Sequence, residues 1–306
     1  MEKKYDLVIL GSGPAGITAG IYAMRARLDT LLLEKGYVTG GQMLNTFEVD
    51  NYPGMPQVTG SEMSAAFERH MRQLGLPIRQ GEAAKIIPDG KGFCIETEED
   101  TYHASAVIIA TGTRHRLLNV PGEKELSGMG VSYCATCDGA FYKGKTVAVV
   151  GGGDAAVEDG IFLARICKKV YLIHRRDELR AAKILQERLL GLENVEVLWN
   201  HEVKEIAGDE HVTDVEVYDN QKNSRSRLAV DGIFIAVGVQ PNSQALEQIA
   251  ATDRAGYFIA GEDCKTSTPG IFAVGDIRTK TLRQIVTAAA DGANAVTSVL
   301  EYVEIL

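Results

Sequence analysis

The sequence predicts an α/β fold in which one strand–turn–helix–strand unit occurs twice along the chain. Three observations carry this prediction. Glycine-rich segments beginning at Gly11 and Gly151 match at an offset of 140 residues (151 − 11). Each is preceded and followed by a continuous apolar run, the pattern of parallel strands covered on both faces. Each second run also ends at the same distance, with Glu34 lying 23 residues after Gly11 (34 − 11) and His174 23 after Gly151 (174 − 151).

In the first unit, Tyr5–Leu10 reads as a buried strand and Gly11-Ser12-Gly13-Pro14-Ala15-Gly16 as the turn. The small-residue stretch Ile17–Leu28 reads as the helix, and Thr30–Leu33, closed by Glu34 and Lys35, as the second strand. In the second unit the strand is Thr146–Val150 and the turn Gly151-Gly152-Gly153-Asp154-Ala155-Ala156. Val157–Ile166 is the helix and Val170–Ile173 the closing strand, ending in His174.

The glycines give the backbone access to a ligand. The first permits a tight turn, the second lets a pyrophosphate approach, and the third position must be small for the helix to pack on the strand. Ala156 meets that last requirement in the second unit. Phosphates then sit at a helix N-terminus, where free N–H groups and the helix dipole favour negative charge. A ligand-free turn between packed elements is the alternative, and two such turns in register, each between strand and helix, weigh against it.

The strand ends separate two ligands. Glu34 can accept hydrogen bonds from both hydroxyls of an adenosine ribose, and its charge repels a 2′-phosphate, which suits FAD or NAD. His174-Arg175-Arg176, with Arg180 four residues further on an expected helix, offers guanidinium forks to a 2′-phosphate, which suits NADP. A solvated basic helix start is the alternative, although basic residues normally avoid a helix N-terminus. Together the two sites imply a bound flavin reduced by NADPH.

The length of 306 residues fits two domains. Thirty-two basic against 41 acidic residues leave a net charge of −9, so neither nucleic acid nor an anionic membrane is expected as main partner. No apolar run approaches the roughly 18 residues of a membrane span, and the chain is expected to be soluble and cytoplasmic. Five cysteines do not make a disulfide scaffold in a chain this long. Cys134-Ala135-Thr136-Cys137, followed by Asp138, is different. Such a spacing closes a small disulfide ring and lowers one thiol's pKa. Zinc would need four ligands, and no second C-x-x-C or H-x₃-H accompanies the pair. An inert thiol pair remains the other alternative. Asp138 could cap a following helix or donate a proton to a leaving thiolate.

Cys134–Gly139, Gly151–Glu158 and His174–Arg180 together resemble the low-molecular-weight thioredoxin reductases, and the resemblance extends along nearly the whole chain. It includes Gly40-Gly41-Gln42, Asn51–Gly54, Ala110-Thr111-Gly112, Gly275-Asp276 and Arg283-Gln284. It implies two Rossmann-like dinucleotide-binding domains of the three-layer ββα type, the second inserted into the first. Residues 1–115 and 245–306 would form the FAD domain, and 116–244 the NADPH domain bearing the redox cysteines. Gln42, Asn51, Gln284 and Gly275-Asp276 would contact FAD. The resemblance also implies a homodimer that reduces oxidised thioredoxin, with Asp138 as acid and with rotation of the NADPH domain between two orientations. The hinges would lie near Thr113–Pro121 and Gly238–Asn242, where Pro121, Pro241 and nearby glycines suit connections. Relatives that draw electrons from ferredoxin lack the arginine set, and others lack C-x-x-C; this chain has both. Another small dithiol protein as acceptor, or a catalytically silent nucleotide sensor, are the competing readings. Which cysteine faces the flavin is left open.

The remaining features read as structural. Trp199 falls in the alternating run Val195–Trp199, and Cys94 and Cys264 lie near the strand-like runs Phe93–Thr97 and Tyr257–Ala260. His70, His103, His201 and His211 lack metal-ligand spacing, and His115 is given no role.

Overall fold

The computed structural model describes residues 4–46, 49 and 51–305. In chain order, β1 (Lys4–Leu10), α1 (Pro14–Arg25) and β2 (Thr30–Glu34) come first, followed by α2 (Gly60–Gln73) and β3 (Ile78–Gln80). The strands β4 (Lys85–Asp89), β5 (Gly92–Glu96), β6 (Thr101–Ile109), β7 (Thr113–His115) and β8 (Val131–Ser132) precede α3 (Ala135–Asp138). The second unit continues through β9 (Thr146–Gly151), α4 (Asp154–Ala164), β10 (Lys169–His174), α5 (Lys183–Leu190) and β11 (Val195–Trp199). Then come β12 (His201–Gly208), β13 (Val212–Asp219), β14 (Ser224–Ala229), β15 (Gly232–Ala236) and β16 (Val239–Pro241). The chain closes with β17 (Ile271–Ala273) and α6 (Ile285–Val303).

Two compact units result. One comprises residues 1–44, 52–114 and 240–306, and the other 45–51 and 115–239. In the first, parallel strands run in the order β3-β2-β1-β6. The long strand β6 forks: its first half pairs antiparallel with β5, which continues to β4, and its second half pairs parallel with β17. Leu7, Ile9, Leu32 and Ile108 pack under α1 and α6 on one face. Tyr5, Val8, Leu10 and Val107 pack on the other face with Phe93, Ile95 and Phe258. Both faces are covered, as the continuous apolar runs require. The layers are therefore helices, parallel sheet, and an antiparallel β layer.

The second unit repeats this plan. Its parallel sheet has the order β11-β10-β9-β15-β8. Val147, Val149 and Leu172 face α4 and α5. Ala148, Val150 and Ile173 face Val203, Ile206, Val215 and Val217 of the antiparallel sheet β12-β13-β14. The predicted α/β fold with paired Rossmann-like units is thus present.

Both turn helices begin three residues earlier than the sequence pattern suggests, at Pro14 and Asp154. Gly13 and Gly153 are extended and act as N-cap residues without a side-chain bond, so the third small residue of each motif lies inside the first helical turn. A Cβ on Gly16 would collide with the carbonyl of Gly11, which is why that place must stay small. Trp199 and Cys94 lie in β11 and β5 as expected. Tyr257–Ala260 does not form a strand; Phe258 makes only single bridges, to Thr252 and Arg278. Among the described residues, no helix is long and apolar enough to cross a membrane.

Candidate active site

The Cys134–Cys137 pair sits where β8 ends and α3 begins. Cys134 is the extended N-cap residue of α3, and the Cys137 N–H donates to its carbonyl at 3.2 Å. This single turn brings the two Cα atoms to 5.3 Å, and the cysteines are joined as a disulfide. Ser132 organises the turn: its Oγ accepts from the Cys134 N–H at 3.1 Å and donates to Asp138 Oδ2 at 2.6 Å. The other carboxylate oxygen, Asp138 Oδ1, is buried and has no partner. Burial raises the Asp138 pKa, opposed by the Ser132 hydrogen bond. A partly satisfied, desolvated carboxyl is a natural place for a proton. Asp138 occupies the N-cap position of the following 3-10 turn but makes no side-chain capping bond there. Its side chain turns back to Ser132 instead.

In the first unit, the structure gathers several predicted residues around the Gly11–Gly16 turn. Gly11 has φ +101°, and a Cβ there would lie 2.6 Å from the Ala110 carbonyl oxygen. A Cβ on Gly41 would lie 3.2 Å from Gly13 Cα, and one on Gly275 (φ +72°) would lie 3.0 Å from Ala15 Cβ. Glu34 faces the same turn, accepting from the Ser12 N–H at 2.7 Å and the Ser12 Oγ at 2.6 Å. Its second oxygen accepts from the Gly36 N–H at 2.9 Å. Lys35 is exposed beside Glu82. Gln42 donates to the carbonyl and the hydroxyl of Thr113, both at 2.9 Å. Thr111 and Asn242 exchange hydrogen bonds beyond Ala110, ahead of Gly112.

A fit to a flavin nucleotide can be tested on these groups. A Cβ on Gly13 would meet nothing within 4 Å, so the turn opens onto free space. Arg283 lies over the Tyr257 ring at 4.3 Å, and its Nε is buried with no partner. Burial raises the Asp276 pKa, against the pull of Lys280 and Arg283. Gln284 caps α6. The open glycine turn fits the pyrophosphate of an anionic dinucleotide, and Arg283 offers an unpartnered cationic donor elsewhere in the same unit. Asn51 is exposed and belongs to the segment 45–51 of the other unit.

A network that the sequence reading missed lies behind Gly275. Asp291 on α6 accepts from the Gly275 N–H at 2.8 Å, from Arg278 Nε at 2.9 Å and Nη2 at 2.7 Å, and from Lys280 Nζ at 2.9 Å. The side chains of Arg278, Asp291 and Lys280 are only 4%, 3% and 7% exposed. An aspartate among the small and apolar residues of the first half of α6 is the signal the sequence carried for it.

In the second unit, Gly153 also opens onto space, since a Cβ there would meet nothing within 4 Å. Arg175, Arg176 and Arg180 are exposed, and so are Asp154 and Ala155. The arginines do not lie on a helix: α5 starts only at Lys183. Backbone donors in this segment are used by the glycine turn, with the Arg180 N–H bonded to the Gly152 carbonyl at 2.7 Å and the Ala182 N–H to Asp154 Oδ1 at 2.8 Å. No helix N-terminus therefore stands at these residues, and an anion would instead meet three exposed guanidiniums beside an open turn. His174 is buried, unlike the arginines. Among the described residues, no group of three His, Cys, Asp or Glu side chains is arranged to hold a metal ion.

Comparison with known proteins agrees with this geometry. The family model described as pyridine nucleotide-disulphide oxidoreductase matches residues 5–292. A thioredoxin reductase of Listeria innocua is 49% identical over 305 residues, covering 99% of this chain and 95% of the relative. The chain belongs to this family, among its thioredoxin reductases. A thioredoxin reductase of Bacillus subtilis is 48% identical over 305 residues, covering 99% of this chain and 96% of its own length. The crystal structure of thioredoxin reductase from Streptococcus pyogenes superposes with a TM-score of 0.95 at 43% identity, covering 100% of both chains. Membership of the family brings flavin and pyridine nucleotide chemistry with it, and the Cys134–Cys137 disulfide is the redox pair of this family member.

Proposed function

We propose that this chain is an NADPH-dependent thioredoxin reductase. Residues 1–115 and 245–306 hold FAD, and residues 116–244 hold NADPH and carry the redox cysteines. The observation that carries the reading is a C-x-x-C disulfide whose neighbouring carboxyl, Asp138, has one buried oxygen free to bear a proton.

When bound, FAD supplies two-electron transfer between the nicotinamide and the disulfide. The protein's own residues do the rest. Gly11–Gly16 and Glu34 bind the adenosine and pyrophosphate portion of FAD, with Gly41, Gln42, Ala110–Gly112, Gly275-Asp276 and Arg283-Gln284 completing that site. Gly151, Gly153 and Asp154–Ala156 accept the NADPH pyrophosphate, and Arg175, Arg176 and Arg180 its 2′-phosphate. Two electrons break the Cys134–Cys137 bond, and Asp138 gives its proton to one of the two thiolates, recovering it from water. The other thiolate attacks a sulfur of oxidised thioredoxin and forms a mixed disulfide. The second cysteine gives up its proton and displaces the partner, whose two sulfurs take up that proton and one from water, so that it leaves as a dithiol while the Cys134–Cys137 bond closes again.

The two crossings between the units, near Thr113–Pro121 and Gly238–Asn242, serve as hinges that let nicotinamide and thioredoxin use the centre in turn. The enzyme works as a homodimer in the cytoplasm. Cys137→Ser tests the reading: thioredoxin turnover should be lost while NADPH still bleaches the flavin. Turnover that persists in this variant would refute it.

A further inference from the structure

We propose that His174 is a positioning residue, which braces the arginine loop against the glycine turn of the second nucleotide site and so sets the preference for a 2′-phosphorylated nucleotide. The inference rests on the reading of this unit as the NADPH site.

Three attachments hold the loop 175–182 to the turn 151–154. Two are the backbone and Asp154 bonds of Arg180 and Ala182 already described. The third is the His174 side chain. Its ring is packed so closely on Gly152 that a Cβ at that glycine would collide with it. Its Nε2 hydrogen-bonds the Glu178 carbonyl at 2.9 Å, between Arg176 and Arg180 in sequence. Trp199 meets the ring edge-on at a centroid distance of 6.5 Å. The imidazole thus touches the turn and the loop at once.

His174 is only 6% exposed. Burial lowers its imidazole pKa, and the charges of Arg180 and Arg176 act in the same direction. A buried, neutral ring is a poor anion ligand, whereas three exposed guanidiniums are good ones. The ring's contribution is preorganisation. Without its bond to Glu178, the arginines spread over more conformations, and the ordering cost falls on binding. That cost should be specific to the 2′-phosphate, because the rest of an adenine nucleotide binds the turn.

The experiment is calorimetric binding of 2′,5′-ADP and of ADP to the oxidised, flavin-loaded protein. His174→Phe fills the space but cannot bond Glu178, and should lower the ratio of 2′,5′-ADP to ADP affinity about tenfold, or ~1.4 kcal/mol. Gly152→Ala, which pushes the ring from the other side, should do the same. His174→Gln, which keeps a donor for the Glu178 carbonyl, should retain most of the ratio. An unchanged ratio in both His174→Phe and Gly152→Ala would overturn the brace, as would a full loss in His174→Gln, which would make the imidazole itself a ligand. Wild-type protein that binds both nucleotides equally would overturn the NADPH reading and this proposal with it. A wild-type preference that survives in both His174→Phe and Gly152→Ala would overturn the brace alone.

Discussion

Asp291 allows a quantitative test, because its one carboxylate balances two buried cations. Asp291→Asn keeps the shape of the side chain but removes its charge and half its acceptor capacity. Arg278 and Lys280, 4% and 7% exposed, are then left facing an amide. Breaking a buried ion pair by removing one partner costs about 3–5 kcal/mol, since the remaining charge stays desolvated. With a urea dependence of ~1–3 kcal/mol per molar, the unfolding midpoint of the first unit should fall by about 1 M or more. The Gly275 N–H loses a charged acceptor in the same change, so flavin should also be released at lower denaturant than in the parent. Urea titration followed by flavin fluorescence reads both effects. Burial alone would raise the Asp291 pKa, but the Arg278 and Lys280 bonds and the Gly275 N–H outweigh it and lower the folded value. A depressed carboxylate pKa gives stability that is present above the unfolded value, ~3.9, and lost as the pH falls through the folded one. The difference between parent and variant should therefore be full at neutral pH and shrink in acid below about pH 4. Asp291→Ala and Arg278→Ala should cost less together than the sum of the two, since each alone strands the other's buried charge and the double variant removes both. Additive costs, or an unchanged midpoint for Asp291→Asn, would refute the reasoning.

Two further outcomes follow from the sites. The raised pKa of Asp138 keeps it protonated to higher pH than a free aspartate, so reduction of the disulfide by reduced flavin should slow as pH rises through that value; Asp138→Asn should be slow at every pH in stopped-flow traces, and a parent-like profile in the variant would exclude Asp138 as acid. Arg175→Ala with Arg176→Ala should raise the KM for NADPH by about tenfold or more while leaving NADH almost unaffected, with each lost charge-assisted bond contributing ~1.5–3 kcal/mol; equal losses for both nucleotides would remove the phosphate assignment.

Much of the fold was legible because short continuous apolar runs bounded by glycine turns suit strands covered on both sides. Tyr5–Leu10 and Thr146–Val150 read correctly for that reason, and β1 and β9 extend them by a single residue each. The turns were legible because Gly16 and Ala156 answer steric demands set by near neighbours, Gly16 against the Gly11 carbonyl and Ala156 against Gly151. What escaped depends on distant chain. Asp291 finds Arg278 and Lys280 only after α6 docks, and no local pattern announces that meeting. His174 looks basic in sequence because it precedes two arginines, yet its strand carries it under Gly152, where burial keeps the ring neutral. Tyr257–Ala260 has strand-like composition but no neighbouring strand long enough to form a ladder with it. Arg180 was placed on a helix by its spacing, whereas the glycine turn claims the N–H groups that a helix there would need.

The central claim is that electrons pass from NADPH through flavin and the Cys134–Cys137 disulfide to thioredoxin. The visible spectrum of the purified protein tests it most directly, with NADPH added anaerobically and oxidised thioredoxin added next. The flavin band should bleach and then return as thioredoxin dithiol appears in an amount equal to the NADPH consumed. A band that stays bleached after thioredoxin is added, or returns without dithiol being formed, would contradict it.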